Sequence, residues 1–324
     1  MNNLFSKTKS ALYSIILILI INTFIAPPVF SDYNIAVVKT TSERSQFNEV
    51  ADNFTSTLMQ KKGFIIKEYD LKKTEAEDLA KDLQKSNTNL IYAIGDKAAA
   101  NMTEYTKDIP IIFSMILNYK NPKLKLNNSP KVAGISLEVP AEVTFMQMQM
   151  LIPNIKNVGI IYSDKSKEIV DAIVSKQTEF GININTLKIK SADDIEDAFD
   201  KLKKNSQALY IVADPAIYNK DTIFMMIEKC KKNKMPFIAF SDNFVKAGAL
   251  MSISPSYFAI GSQAASIAEK ILIDKMSPDN VGVESPIGTF FVINSLTLTE
   301  IGITSNEDVL SFADKVYRKD DVEK

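Results

Sequence analysis

The chain has 324 residues, 46% of them hydrophobic and 24% charged, with a formal net charge of −1. That length suggests two domains of ordinary folded composition, and no basic stripe with interleaved aromatics invites nucleic acid. Histidine is absent and Cys230 is the sole cysteine, which removes histidine-dependent nucleophile pairs, HExxH zinc sites, internal disulfides and cysteine clusters for metal.

At the N-terminus, Lys7 and Lys9 precede an apolar run over 11–25, broken by Pro27 and Pro28. This is the layout of a secretory signal peptide, and it is short for a membrane span of about 20 apolar residues. The mature chain is expected to begin near Asp32 and to work outside the cytoplasm, with a retained anchor as the alternative. No cysteine follows the run, so a lipoprotein anchor is not expected.

From Asn34 onward strand and helix patterns alternate. Short apolar runs predict strands at 35–38, 64–69, 90–94, 111–115 and 132–136, continuous in the manner of buried parallel strands. Helical spacing predicts helices over 47–61 and 74–85, and Gly63 ends the first. Residues 118–131 read as a surface loop. A helix is expected from Pro140 to about 152, its MQMQM segment facing core rather than ligand. A second lobe follows, with strands at 158–162, 184–189, 208–212, 237–240 and 249–253 and a helix over 165–180. Cys230 falls in a further apolar–basic helix and reads as a half-buried thiol. Pro255 opens a long helix to about 274, rich in small residues that permit close packing. Residues 276–288 read as loop, 289–293 as a strand, 307–317 as a final amphipathic helix and 318–324 as a charged tail.

The two halves share a grammar. The stretch 89–118 (NLIYAIGDKAAANMTEYTKDIPIIFSMILN) is echoed by 207–243 (QALYIVADPAIYNKDTIFMMIEKCKKNKMPFIAFSDN). Earlier segments echo as well, all at offsets near about 120 residues, the size of a duplicated domain. The predicted fold is therefore α/β: two Rossmann-like lobes with parallel sheets covered by helices. Ligands of such folds bind outside the carboxyl ends of the strands. The candidate ligand-binding residues at those ends are Thr41, Ser42, Asp96, Ser114, Asn118 and Glu138 in the first half. In the second they are Tyr162, Ser163, Asp214, Asp242 and Phe244. Asp96 and Asp214 fall at equivalent turns, both expected to look into one cleft, and both also stand where a helix N-cap belongs. Asp242 follows its strand without so clear a helix start. Arg44 could clamp an anion. No glycine-rich phosphate loop and no GxSxG elbow appears. No catalytic residue, metal or cofactor is expected, and the reading is a binding protein rather than an enzyme.

Four segments carry a resemblance: IPIIFSMILN (109–118), VAGISLEVPAEVTFMQMQMLIPNIKNVGIIYS (132–163), FIAFSDNFVKAGALMSISPSYFAIGSQAASIAEKIL (237–272) and PIGTFFVINSLTLTEIGI (286–303). Together they resemble the ABC transporter substrate-binding family whose better understood members bind tryptophan and related aromatic amino acids. The resemblance implies a type I periplasmic-binding fold with three crossings, near 136–139, 254–256 and 283–288. The first lobe would be 32–136 plus 255–283, and the second 137–254 plus 284–317. It implies a monomer that captures an amino-acid-like or aromatic small molecule and delivers it to an ABC permease. The alternative is a ligand-sensing subunit of a membrane receptor or kinase. Asp96 stands where the amino-acid-binding members tend to carry Thr, and a carboxylate there opposes a ligand carboxylate. Asn118 stands where they tend to carry Asp before Pro.

Overall fold

The computed structural model describes residues 32–40, 45–127, 129–304 and 307–322. The expected signal segment, Thr41, Ser42 and Arg44 lie outside the described residues.

The first lobe opens with β1 (Tyr33–Lys39), α1 (Ser45–Met59), β2 (Phe64–Asp70), α2 (Ala76–Lys85), β3 (Leu90–Ile94), α3 (Asp96–Tyr105), β4 (Ile111–Ser114) and β5 (Val132–Ile135). The chain then enters the second lobe with α4 (Ala141–Leu151), β6 (Asn157–Tyr162), α5 (Lys167–Ser175), α6 (Gln177–Phe180), β7 (Asn183–Lys188) and α7 (Ile195–Leu202). Next come β8 (Ala208–Tyr210), α8 (Lys220–Lys232), β9 (Phe237–Ala239), α9 (Asp242–Lys246) and β10 (Met251–Pro255). It returns to the first lobe for α10 (Tyr257–Leu272), α11 (Pro278–Val281) and β11 (Val283–Glu284). It finishes in the second with β12 (Thr289–Asn294), α12 (Ser295–Ile301), α13 (Glu307–Ser311), β13 (Lys315–Tyr317) and α14 (Lys319–Val322).

One sheet runs β11-β5-β4-β3-β1-β2, with every pair parallel. The other runs β13-β12-β10-β9-β8-β6-β7. Its β12 lies antiparallel to β10, so this sheet is mixed where all-parallel was expected. Inner strands such as β3 are buried along their whole length, as their unbroken apolar runs require. The edge strands β2 and β7 alternate instead, because only one face of each meets helices.

The duplication extends to side-chain detail. The Asn34 amide donates to Asn89 Oδ1 at 2.7 Å, and the Asn89 amide returns a bond to the Asn34 carbonyl at 2.8 Å. In the second lobe the Asn157 amide donates to Gln207 Oε1 at 2.9 Å, and Gln207 returns one at 2.8 Å. Each clasp joins the start of its lobe's first strand to the residue just before its third, and so sets their register.

The long return helix α10 packs on α1. A Cβ on Gly261 would lie 2.5 Å from the Val50 carbonyl, so only glycine lets the two backbones approach this closely. Ala264, Ala265 and Ala268 are fully buried in the same seam.

Several boundaries differ from expectation. Pro255 ends β10 instead of opening α10, whose first turn is capped by Ser256 Oγ accepting from the Ala259 amide at 3.3 Å. The helix expected over 165–180 breaks at Lys176 into α5 and α6. The expected loop over 276–288 contains α11 and β11. The expected final helix over 307–317 is a short helix followed by β13. Asp314 clips the chain beside β12, accepting from the Phe291 amide at 2.7 Å and donating to its carbonyl at 2.9 Å. Lys315, Val316 and Tyr317 then pair in parallel with β12.

Candidate ligand-binding cleft

Three crossings join the two sheets. One leaves the carboxyl end of β5 and another the carboxyl end of β10. The third runs from the end of β11 to the start of β12, and Thr289 there pairs with Pro255. All three therefore connect carboxyl ends, which brings those ends together around one cleft.

The second and third crossings are bound to each other, the Ser256 amide donating to the Gly288 carbonyl at 3.0 Å. Gln263, buried in α10, holds the third. Its Nε2 donates to the Ser285 carbonyl at 3.0 Å and to Glu284 Oε2 at 2.9 Å, while its Oε1 accepts from the Ile287 amide at 3.1 Å. Burial alone would raise the Glu284 pKa, but bonds from Lys270 and Gln263 outweigh it and hold the carboxyl below its usual range. In the first crossing Glu138 is half-buried. Desolvation raises its pKa, opposed by the charge of Lys120 from the first lobe and assisted by Glu168 from the second.

In the first lobe, β3 ends at Gly95, which is the N-cap of α3. Its φ of 91° and ψ of 161° define a backbone shape essentially reserved for glycine. A Cβ there would also lie 2.8 Å from the Phe47 ring. Asp96 is thus the first helical residue rather than the cap. It is exposed, and its charge complements the positive end of α3. The Gly95 amide bonds the Ser114 carbonyl at 2.9 Å, and Ser114 Oγ meets the buried Tyr92 hydroxyl at 2.7 Å. Burial raises the Tyr92 pKa well above its usual value. Ser114 is therefore engaged inside the lobe and wholly buried, not presented to the cleft. Met115 follows it at φ 63°, a strained conformation for a side-chain-bearing residue. Thr40 follows β1 with its Oγ1 buried and without a hydrogen-bond partner among the described residues. Asn118 is exposed beyond β4.

The second lobe uses its residues differently. Asp214 is 2% exposed, and its carboxylate accepts from four donors. These are the Ser163 amide at 2.8 Å, Ser163 Oγ at 3.0 Å, Ser166 Oγ, and the Ala216 amide at 3.1 Å. It staples the turn after β6 to the turn after β8. It neither looks into the cleft nor caps a helix, since α8 begins later behind the capping box of Asn219 and Thr222. Asp242 is half-buried, and its Oδ1 has no hydrogen-bond partner among the described residues. It opens α9, and its Oδ2 accepts from Lys315 Nζ at 3.1 Å. Burial works against the Lys315 charge, but its bonds to Tyr317 and Asp242 prevail and raise its pKa. Asp164 pairs with Lys188 at 2.5 Å, and that bond lowers its pKa. Three of the four strand-end aspartates are thus internally partnered.

Tyr162 is half-buried against the second-lobe core. Phe244 stands edge-on to Phe240 at 5.3 Å, and both, with Phe290, are half-buried against one core cluster. Neither Phe240 nor Phe290 was singled out in the sequence, although both end or open strand segments. Lys120, Glu168 and Lys315 were also missed. Its place in the first turn of the helix after β6 marks Glu168, but no local signal marks Lys315, because its strand read as helix.

A sequence profile described as ABC transporter substrate binding protein matches residues 58–317. The chain is 27% identical over 244 residues to the tyrosine-binding protein of Clostridioides difficile, covering 74% of this chain and 66% of that protein. The structure is similar to the ligand-free, open form of a substrate binding protein with adhesive properties from Clostridium difficile. There the TM-score is 0.73 at 20% identity, over 89% of this chain and 100% of the other. A domain from Streptococcus pneumonia in complex with L-Trp gives a TM-score of 0.59 at 21% identity, over 89% and 100% of the two chains. The fold is that of type I periplasmic binding proteins.

Proposed function

The chain belongs to the ABC transporter substrate-binding protein family, and from that premise we propose that it is exported, captures a small molecule between its lobes and delivers it to an ABC permease. The observation that carries this reading is the convergence of both sheets' carboxyl ends on three crossings. A ligand that touches both lobes at once favours the closed arrangement by its differential contacts, and that shift is what a permease would read. The protein acts as an extracytoplasmic monomer and performs no chemistry on its ligand.

Within the cleft, Asp96, Asn118, Glu138, Tyr162, Asp242 and Phe244, with Thr41 and Ser42, are proposed to meet the ligand. Ser114, Ser163 and Asp214 hold the walls behind them. The tyrosine-binding and Trp-bound relatives favour an amino-acid-like, aromatic ligand. The half-buried rings of Phe240, Phe244 and Phe290 offer apolar faces of the kind that clamp such a group. Native mass spectrometry of the freshly purified protein, followed by a thermal-shift screen of amino acids and related metabolites, tests the reading. A stoichiometric small molecule that raises the melting temperature is expected. Turnover of a bound molecule, or no stabilisation by any metabolite class, overturns it.

A further inference from the structure

Two of the crossings carry a glutamate, and the two are treated in opposite ways. Glu284, at the head of the third crossing, is satisfied from within the first lobe by Lys270 Nζ at 2.8 Å and Gln263 Nε2 at 2.9 Å. Glu138, in the first crossing, is half-buried yet has no hydrogen bond and no ion pair among the described residues. Its neighbours fix its place. Leu137 packs against the first-lobe core and Val139 against the second-lobe core. The chain therefore passes from one lobe to the other at Glu138. The charges that reach it come from both sides, Lys120 beyond β4 and Glu168 on the first turn of α5, and both of those residues are exposed.

A half-buried carboxylate without donors is costly, because it has given up part of its hydration and received nothing in exchange. The other acids at strand ends offer less. Asp214 already has four internal donors, Asp164 and Asp242 hold lysines, and Asp96 is exposed beside the positive end of α3. An ammonium group is the ligand feature from which Glu138 gains most, since it brings the opposite charge together with up to three N–H donors.

We propose that Glu138 is a specificity-determining residue that takes a primary ammonium group of the ligand, and that this contact, made where the chain passes between the lobes, links recognition of the amine to closure. The proposal rests on the binding reading above and deepens it. It also carries a pH dependence. Desolvation and the charge of Glu168 favour the protonated carboxyl, against the charge of Lys120, whereas an ammonium group needs the ionised one. As the pH falls through the raised pKa of Glu138, amine binding has to displace a proton, so affinity for an amine weakens on acidification.

Titration calorimetry with three probes tests this. L-tyrosine carries amine and carboxylate, tyramine keeps only the amine, and hydroxyphenylpropionate keeps only the carboxylate. The wild type should bind the two amines in preference to the propionate, and small-angle scattering should show compaction with tyramine but not with the propionate. Glu138→Gln keeps the shape and removes the charge. It should weaken both amines about 10- to 100-fold, leave the propionate unchanged or tighter, flatten the pH dependence of tyramine binding and not lower the melting temperature. Equal losses for all three probes, or no loss for the amines, overturn the proposal. So does a Lys120→Met variant that by itself abolishes the pH dependence, since Lys120 would then be the cation seated on Glu138. A wild type that binds or closes on the propionate as well as on the amines, or whose stabilising metabolite has no amine, sinks this inference and leaves the binding reading standing. Failure to bind any probe or any metabolite in the thermal-shift screen sinks both.

Discussion

The turn after β3 and the turn after β8 are written in matching sequence, yet the molecule uses them in opposite ways. After β3, Gly95 bends the chain at φ 91° directly into α3, and Asp96 is left exposed on the first turn. After β8, Asp214 is drawn inside to bind Ser163, Ser166 and Ala216, and the helix waits until Lys220. The deciding residues are the neighbours. Gly95 supplies a backbone shape that brings the helix N-terminus to the strand end, whereas Ala213 and Pro215 flank an Asp that finds hydroxyls and amides from the adjacent turn. An aspartate at a strand end is therefore left exposed at the rim or drawn in as an internal staple according to which donors stand beside it. The first lobe keeps its acid at the rim, and the second uses its acid to stiffen the rim.

Four substitutions break or sharpen that contrast. Asp214→Ala has the largest effect, because it leaves two hydroxyls and two amides without their acceptor. A loss of about 3–4 kcal/mol in denaturant unfolding is expected. Gly95→Ala forces a side chain into a glycine-only conformation and against Phe47, costing about 2–3 kcal/mol by the same measurement. Asn219→Ala removes the delayed cap of α8 and costs about 1 kcal/mol in thermal unfolding. Asp96→Asn changes stability by no more than about 0.5 kcal/mol, since the residue is exposed. Its effect appears in titration calorimetry instead, as tighter binding of a ligand that carries a carboxylate.

Much of the architecture was legible. The strand runs at 35–38, 90–94 and 158–162 lie inside observed strands because buried parallel strands leave unbroken apolar stretches. The repeat was visible for the same reason. What escaped depends on tertiary partners. β13 read as helix because its three residues are too few to show a period, and only Asp314 bonding to Phe291 makes them a strand. The Lys315 partner of Asp242 was not legible because it lies 73 residues away in sequence. Asp214 could not be told from Asp96 by local pattern, since burial and donor count belong to the fold. Strand-end position marked the region of the cleft, and hydrogen-bond partners decide which of its polar groups remain available.

Small-angle X-ray scattering with and without a ligand that stabilises the protein tests the two-lobed clamp most directly. A smaller radius of gyration with ligand bound is the result this account predicts; an unchanged radius at saturation would contradict it.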